Sequence, residues 1–224
     1  MKLKEGLARD RTVWKRLKGK SRLLFLWDYY RIPILALAAL IALGSIAAAS
    51  AARHAPVALY AVFVNAAQSE TARDPAALET LLTEGGVDMR GKRAELWSDL
   101  TLGRELDAGD DGQTVQLLSA LFLISDLDFF ASDPASFAPY AAQGSFADLS
   151  VLIEPELWQN RPDADLIWHE DSGGLRSLQG IVLHDGSPLH TAGYFSGDTA
   201  LGAAARGENL EAAVALIRRI LQES

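Results

Sequence analysis

The sequence predicts an α/β protein: an N-terminal transmembrane helix followed by a three-layer α/β domain with a mainly parallel sheet. Three observations carry this. Ile32 to Ala52 is an uncharged run fenced by Arg31 and Arg53. Net charge changes sign across that run. Beyond it, short apolar runs rich in β-branched and aromatic residues alternate with well-capped helical segments, the pattern of strands crossing back over a parallel sheet. The expected parts are a basic cytoplasmic head at 1–31, a transmembrane helix at 32–52 and an extracytoplasmic domain at 53–224.

The run at 32–52 has 21 residues, eight of them Leu or Ile and nine Ala. As a helix it reaches roughly 32 Å, against roughly 30 Å of hydrocarbon. Only a helix satisfies its backbone there. Each Leu or Ile contributes about −0.3 to −0.6 kcal/mol to insertion, so the margin is small. Gly44, Ala48 and Ala52 form a small-residue face suited to packing against another helix. The small residues around Ala47 to Ala51 also fit a signal-peptide cleavage site, but the long basic segment before the run favours an uncleaved anchor.

Residues 1–31 carry ten Lys and Arg against Glu5, Asp10 and Asp28; residues 53–224 carry 11 against 26 acids. Basic flanks stay on the cytoplasmic side, which places the acidic body outside the cell membrane. Trp14, Trp27, Tyr29 and Tyr30 suit an interfacial belt at the inner face. The head's charge also fits nucleic acid, but the span accounts for it, and an acidic body repels phosphate. No nucleic-acid partner is expected. The chain has no cysteine, so it has no disulfide, thiolate zinc site, Cys nucleophile or Cys-borne lipid.

Within the body, Pro56 to Asn65 reads as a buried strand. Asp74 and Pro75 then start a helix that Gly85 stops, with Leu78, Leu81 and Leu82 inward. Arg93 to Trp97 alternates as a short strand. Asp107 to Gly112 reads as a solvated turn; its likeness to a calcium loop fails at Gly109 and Leu118. A helix follows, with Val115, Leu118 and Phe122 on one face and Leu117 and Leu121 beside them. Ser125 to Phe130 reads as a strand. Asp133 and Pro134 start a second helix of the same grammar, with Phe137, Tyr140 and Ala141 inward and Gly144 as its stop. The stretch from Glu154 to Asp165 is irregular. Gly180 to Leu183 is a strand, and Gly186, Gly193 and Gly197 mark loops. Asn209 caps a final helix, Leu210 to Gln222, with Val214, Ile217 and Leu221 as its stripe and Ala213, Leu216 and Ile220 alongside.

Chemistry is sparse. His169, His184 and His190 stand near acids, yet no pair has helical metal-ligand spacing, so they read as surface loop residues. Ser196 lies among glycines without the G-x-S-x-G pattern. Phosphate-cradle and dinucleotide signatures are missing. No metal or cofactor is implied, and the chain is expected not to be an enzyme. Asp126 and Asp128 are two apart and would share one face of a strand. At a strand's carboxyl end they would line a crevice with Ser132. These three are the candidate ligand-binding residues.

The segment SDLDFFASDPASFAPYAAQGSFADLSVLI resembles extracellular solute-binding proteins of the type 2 periplasmic fold, through Asp128, Phe137, Tyr140, Gly144, Asp148 and Leu149. NLEAAVALIRRIL resembles that family's closing helix. The resemblance implies a domain like one lobe of that fold. About 25 residues separate Ile153 from Leu178, where the family holds most of a second lobe, so a reduced domain is expected. The resulting expectation is a membrane-anchored, non-catalytic binding or interaction module. Its partner is a small-molecule or peptide ligand or a membrane protein. An accessory subunit of a membrane complex such as a transporter is the alternative; a complete second lobe would instead make the chain a solute receptor.

Overall fold

The computed structural model describes residues 35, 38, 40–45, 55–103, 108–124 and 126–223. The chain divides into two units, 1–54 and 55–224. In the first, the described residues are helical and exposed. The expected span at 32–52 lies mostly outside the described residues, and among these no helix is long and apolar enough to cross a membrane. The basic head at 1–31 also lies outside them.

The second unit is built on six strands: β1 (Val57–Val64), β2 (Arg93–Leu100), β3 (Phe129–Ser132), β4 (Leu166–Glu170), β5 (Arg176–Leu183) and β6 (Thr199–Ala203). Its main helices are α1 (Ala76–Glu84), α2 (Ala108–Ile124), α3 (Pro134–Ala142) and α6 (Leu210–Gln222), with the short α4 (Leu149–Leu152) and α5 (Pro188–Thr191) between α3 and β6. The spatial strand order is β2-β1-β3-β6-β5-β4.

The sheet is mixed, which corrects the expectation of a mainly parallel one. β1 pairs in parallel with β2 and β3, but β3–β6, β6–β5 and β5–β4 are antiparallel. A parallel connection needs a dozen or more residues and usually a full helix. Only residues 171–175 join β4 to β5, and only the single-turn α5 lies between β5 and β6, so each pair folds back. β4 and β6 lie in stretches to which the sequence reading assigns no strand. Residues 153–178 thus supply two short turns, β4 and the start of β5 to this one sheet.

Alternation along the strands divides the core into two layers. Leu59, Ala61 and Phe63 of β1 face α1 and α6, whose Leu78, Leu82, Leu216 and Ile217 are fully buried. Val62 and Val64 face α2 and α3 through Leu118, Phe137 and Tyr140. Three layers result, as expected. The inward residues expected of α1, α3 and α6 are all buried. On α2, Leu118 and Leu121 are buried but Val115 is 45 % exposed, so the buried face is rotated away from the expected stripe. Asp107 lies outside the described residues, and 108–112 form the first turn of α2 rather than a turn before it.

Two boundaries differ for local reasons. The residue that reverses the chain after α1 is Gly86, at φ +87, not Gly85. A Cβ on Gly85 would lie 3.0 Å from the Ala215 carbonyl oxygen, so Gly85 serves the close approach of α1 to α6. The third strand starts at Phe129, so Asp126 and Asp128 precede it and share no strand face.

Candidate functional site

The chain leaves β1 for β2 on one side and then reaches β3 on the other. The carboxyl ends of β1 and β3 therefore flank a switch in strand order, where open α/β sheets form crevices. A cavity of about 370 Å³ opens there. Asn65, Leu102, Asp133 and Ser136 line it from the strand ends and α3, and Phe195 to Asp198 line it from the loop before β6.

Asn65 organises this end. It sits at φ +57, a left-handed conformation that Asn tolerates better than most residues. Its Nδ2 donates to the Leu102 carbonyl at 2.8 Å, to Asp133 Oδ2 at 2.6 Å and to Ser136 Oγ at 3.1 Å. Its Oδ1 accepts from the Leu102 N–H at 2.9 Å. One side chain thus ties the loops after β1, β2 and β3. Asp133 caps α3 as expected, accepting from the Ser136 N–H at 3.0 Å. Burial pushes the Asp133 carboxyl pKa upward, but the hydrogen bonds from Asn65, Ser136 and Ala135 outweigh it and hold it below the ordinary value.

Behind the outer wall stand two histidines. His190 Nε2 donates to the Gly197 carbonyl at 2.7 Å, and its Nδ1 lies 2.6 Å from Ser187 Oγ, from which the neutral ring accepts. This resembles a serine–base pair, but Ser187 is 3 % exposed and does not line the crevice, so it braces the loop. His184 lies between Asp198 and Asp165, at 2.8 and 3.1 Å. The side chain of His190 is only 7 % exposed, which corrects its reading as a surface loop residue, whereas His184, 57 % exposed after β5, is one. Among the described residues, no cluster of three or more His, Cys, Asp or Glu side chains is placed to hold a metal ion.

The three expected site residues do not converge. Asp126 is exposed in the loop before β3. Asp128 is 1 % exposed at the amino end of the sheet, opposite the crevice. There its Oδ2 accepts from the Tyr60 N–H at 2.8 Å and Asn209 Nδ2 at 2.9 Å, and its Oδ1 accepts from the Asn209 N–H at 2.7 Å. The Asn209 side chain is thereby drawn away from capping α6 itself, against expectation. Ser132 is at the crevice end, but it is fully buried and donates to the Asp133 carbonyl. Sequence reasoning missed Asn65, Ser136 and Asp198. The one available signal was an Asn ending the first apolar strand, at the position where an α/β switch point forms.

Fold and site together define an α/β/α domain with a polar crevice at the switch point of a mixed sheet. Comparison with protein-family models, with curated proteins and with solved structures finds no match.

Proposed function

We propose that residues 53–224 form a non-catalytic binding module, presented outside the cell membrane on a single N-terminal span. The observation that carries this reading is the crevice itself. Its inner polar groups are already hydrogen-bonded to one another, which pre-forms its shape, while Ser196 and Asp198 on the outer wall remain exposed. The chain enters the domain at the amino end of β1, and Asn65 lies at the other end. Eight strand residues separate these points, about 26 Å. With residues 153–178 built into the same sheet, a ligand is met by one surface and not enclosed between two lobes. The resemblance to a reduced solute-binding domain supports the same reading.

A second reading, an accessory subunit of a membrane complex, is favoured by α2, which leaves Val115, Leu123 and Ile124 45 %, 68 % and 58 % exposed.

The absence of cysteine makes the test direct. A single cysteine at Ser196→Cys should react with a membrane-impermeant maleimide on intact cells, while Lys4→Cys in the head should react only after permeabilisation. The opposite pattern overturns the orientation. An occupied crevice should slow labelling at Ser196→Cys in native membranes relative to purified protein, with exposed Glu170→Cys as control. Equal rates in both preparations overturn crevice binding.

A further inference from the structure

We propose that His184 is a proton-operated latch on the crevice: its imidazolium holds Asp198, and loss of one proton releases that carboxylate into the crevice mouth. This names a regulation of the binding crevice and rests on that reading for its purpose, though not for its chemistry.

Both ring nitrogens of His184 face carboxylate oxygens, Nδ1 toward Asp198 and Nε2 toward Asp165. Ionised carboxylates only accept hydrogen bonds, so both contacts require an N–H on each nitrogen, the imidazolium form. The neutral ring carries one N–H and must surrender one partner. Burial decides which. The Asp165 side chain is 12 % exposed, and without its donor it would be a buried carboxylate left without a hydrogen bond. The Asp198 side chain is 61 % exposed and exchanges its partner for water at little cost. The remaining N–H therefore stays on Asp165, and Asp198 swings free.

Three segments converge on this ring: the end of β5 with His184 itself, the turn before β4 with Asp165, and the loop before β6 with Asp198. The charges acting on it are those two carboxylates. Arg161 adds a cation on the far side of the cluster, where it interacts with Asp165. On the next residue, Asp185 reaches toward His190 Nε2, at 3.9 Å, rather than toward His184. Asp198 lines the crevice beside Ser196 and Gly197. Its release turns a neutralised wall into an anionic one, so a cationic ligand gains and an anionic ligand loses as pH rises.

The test uses the full-length protein in detergent micelles, with 13Cε1-histidine and 15N-glycine labels and no ligand. His184 should titrate above the ordinary histidine range. The Gly197 amide shift should follow the His184 midpoint. His190 also touches Gly197, so a Gly197 curve that follows His190 instead overturns the latch. Asp198→Asn should lower the His184 midpoint and abolish the shared Gly197 inflection. An unchanged midpoint in that variant, or a flat Gly197 in the wild type, overturns it as well. A crevice that binds nothing leaves this result standing, and a failed latch leaves the maleimide test of binding untouched.

Discussion

The two ends of the sheet use the same chemical device to opposite effect. At the amino end, Asp128 accepts hydrogen bonds from Tyr60 and twice from Asn209, fastening β1 and the start of α6 to the segment before β3. Gly207 closes over it; a Cβ there would lie 2.8 Å from the Asp128 carboxylate. At the carboxyl end, Asp133 accepts from Asn65 and Ser136 and also joins several segments, but a cavity opens beside it. A carboxylate that gathers donors from several elements is thus no sign of a binding site by itself. The difference is that Asp133 itself lines an open crevice, whereas the cavity of about 560 Å³ at the amino end is lined by Asn209 and not by Asp128, and sequence does not report space.

The largest effect should come from the amino end, where Asp128 is buried. Asp128→Ala leaves two backbone N–H groups and an amide without their acceptor. Orphaned buried donors cost about 1–3 kcal/mol each, so a loss of about 4 kcal/mol is expected. Urea unfolding of the full-length protein, followed by tryptophan fluorescence, measures it. A loss below about 1 kcal/mol would show that water reaches this end and would erase the contrast.

The open end should tolerate more. Asn65→Ala removes the side-chain hydrogen bonds and places a Cβ residue with less tolerance of φ +57, for about 2–3 kcal/mol. Asn65→Gly removes the same bonds but accepts the backbone. It should be the more stable of the two by about 1 kcal/mol. Equal losses would mean that the left-handed backbone at 65 is not retained in solution. Both variants should also change maleimide labelling at Ser196→Cys, which Asp128→Ala at the far end should alter only by unfolding the domain.

Between the ends, the sheet's middle shows what the sequence made legible. The helices α1, α3 and α6 were readable because their signals are local: a D-P start on α1 and α3, and an apolar stripe on all three. Strand β6 was not. Its TALGA is fully buried, yet Gly202 sits where a Cβ would lie 3.0 Å from Phe137 and Phe146 and 2.7 Å from the Gln179 carbonyl. Gly180 of β5 lies under Phe137 in the same way, at 2.6 Å. Phe137 and Phe146 stack at 4.3 Å over these two glycines. The bulk that marks a strand is supplied by an aromatic pair distant in sequence, so the strand itself looks like a loop. The parallel-sheet expectation failed with it, because a missed β6 hides two antiparallel pairings and a missed β4 hides the third. The crevice was half legible: Asp133 was read as a cap, but its meeting with Asn65 depends on strand order. Gly180→Ala should cost about 2 kcal/mol by overpacking. Combining it with Phe137→Leu should restore part of that loss, and no recovery would sever the aromatic pair from β6.

The smallest effect is the one that separates the two ends most cleanly by pH. At the carboxyl end, the Asp133 pKa is lowered on folding, so its contribution is present above the unfolded carboxyl value and is lost as pH falls through the folded one. For His184 the pKa is raised, by Asp198 first and then Asp165. Its contribution is therefore full below the unfolded histidine value and is lost as pH rises through the folded one. Stability should decline gently as pH rises above the ordinary histidine value. His184→Asn should flatten that decline while leaving the acid limb in place; Asp133→Asn should do the reverse. Unfolding midpoints measured across the pH range check both. If His184→Asn leaves the alkaline slope unchanged, the ring is not held between its two carboxylates in solution, and Asp133 remains the proton-sensitive group of the carboxyl end.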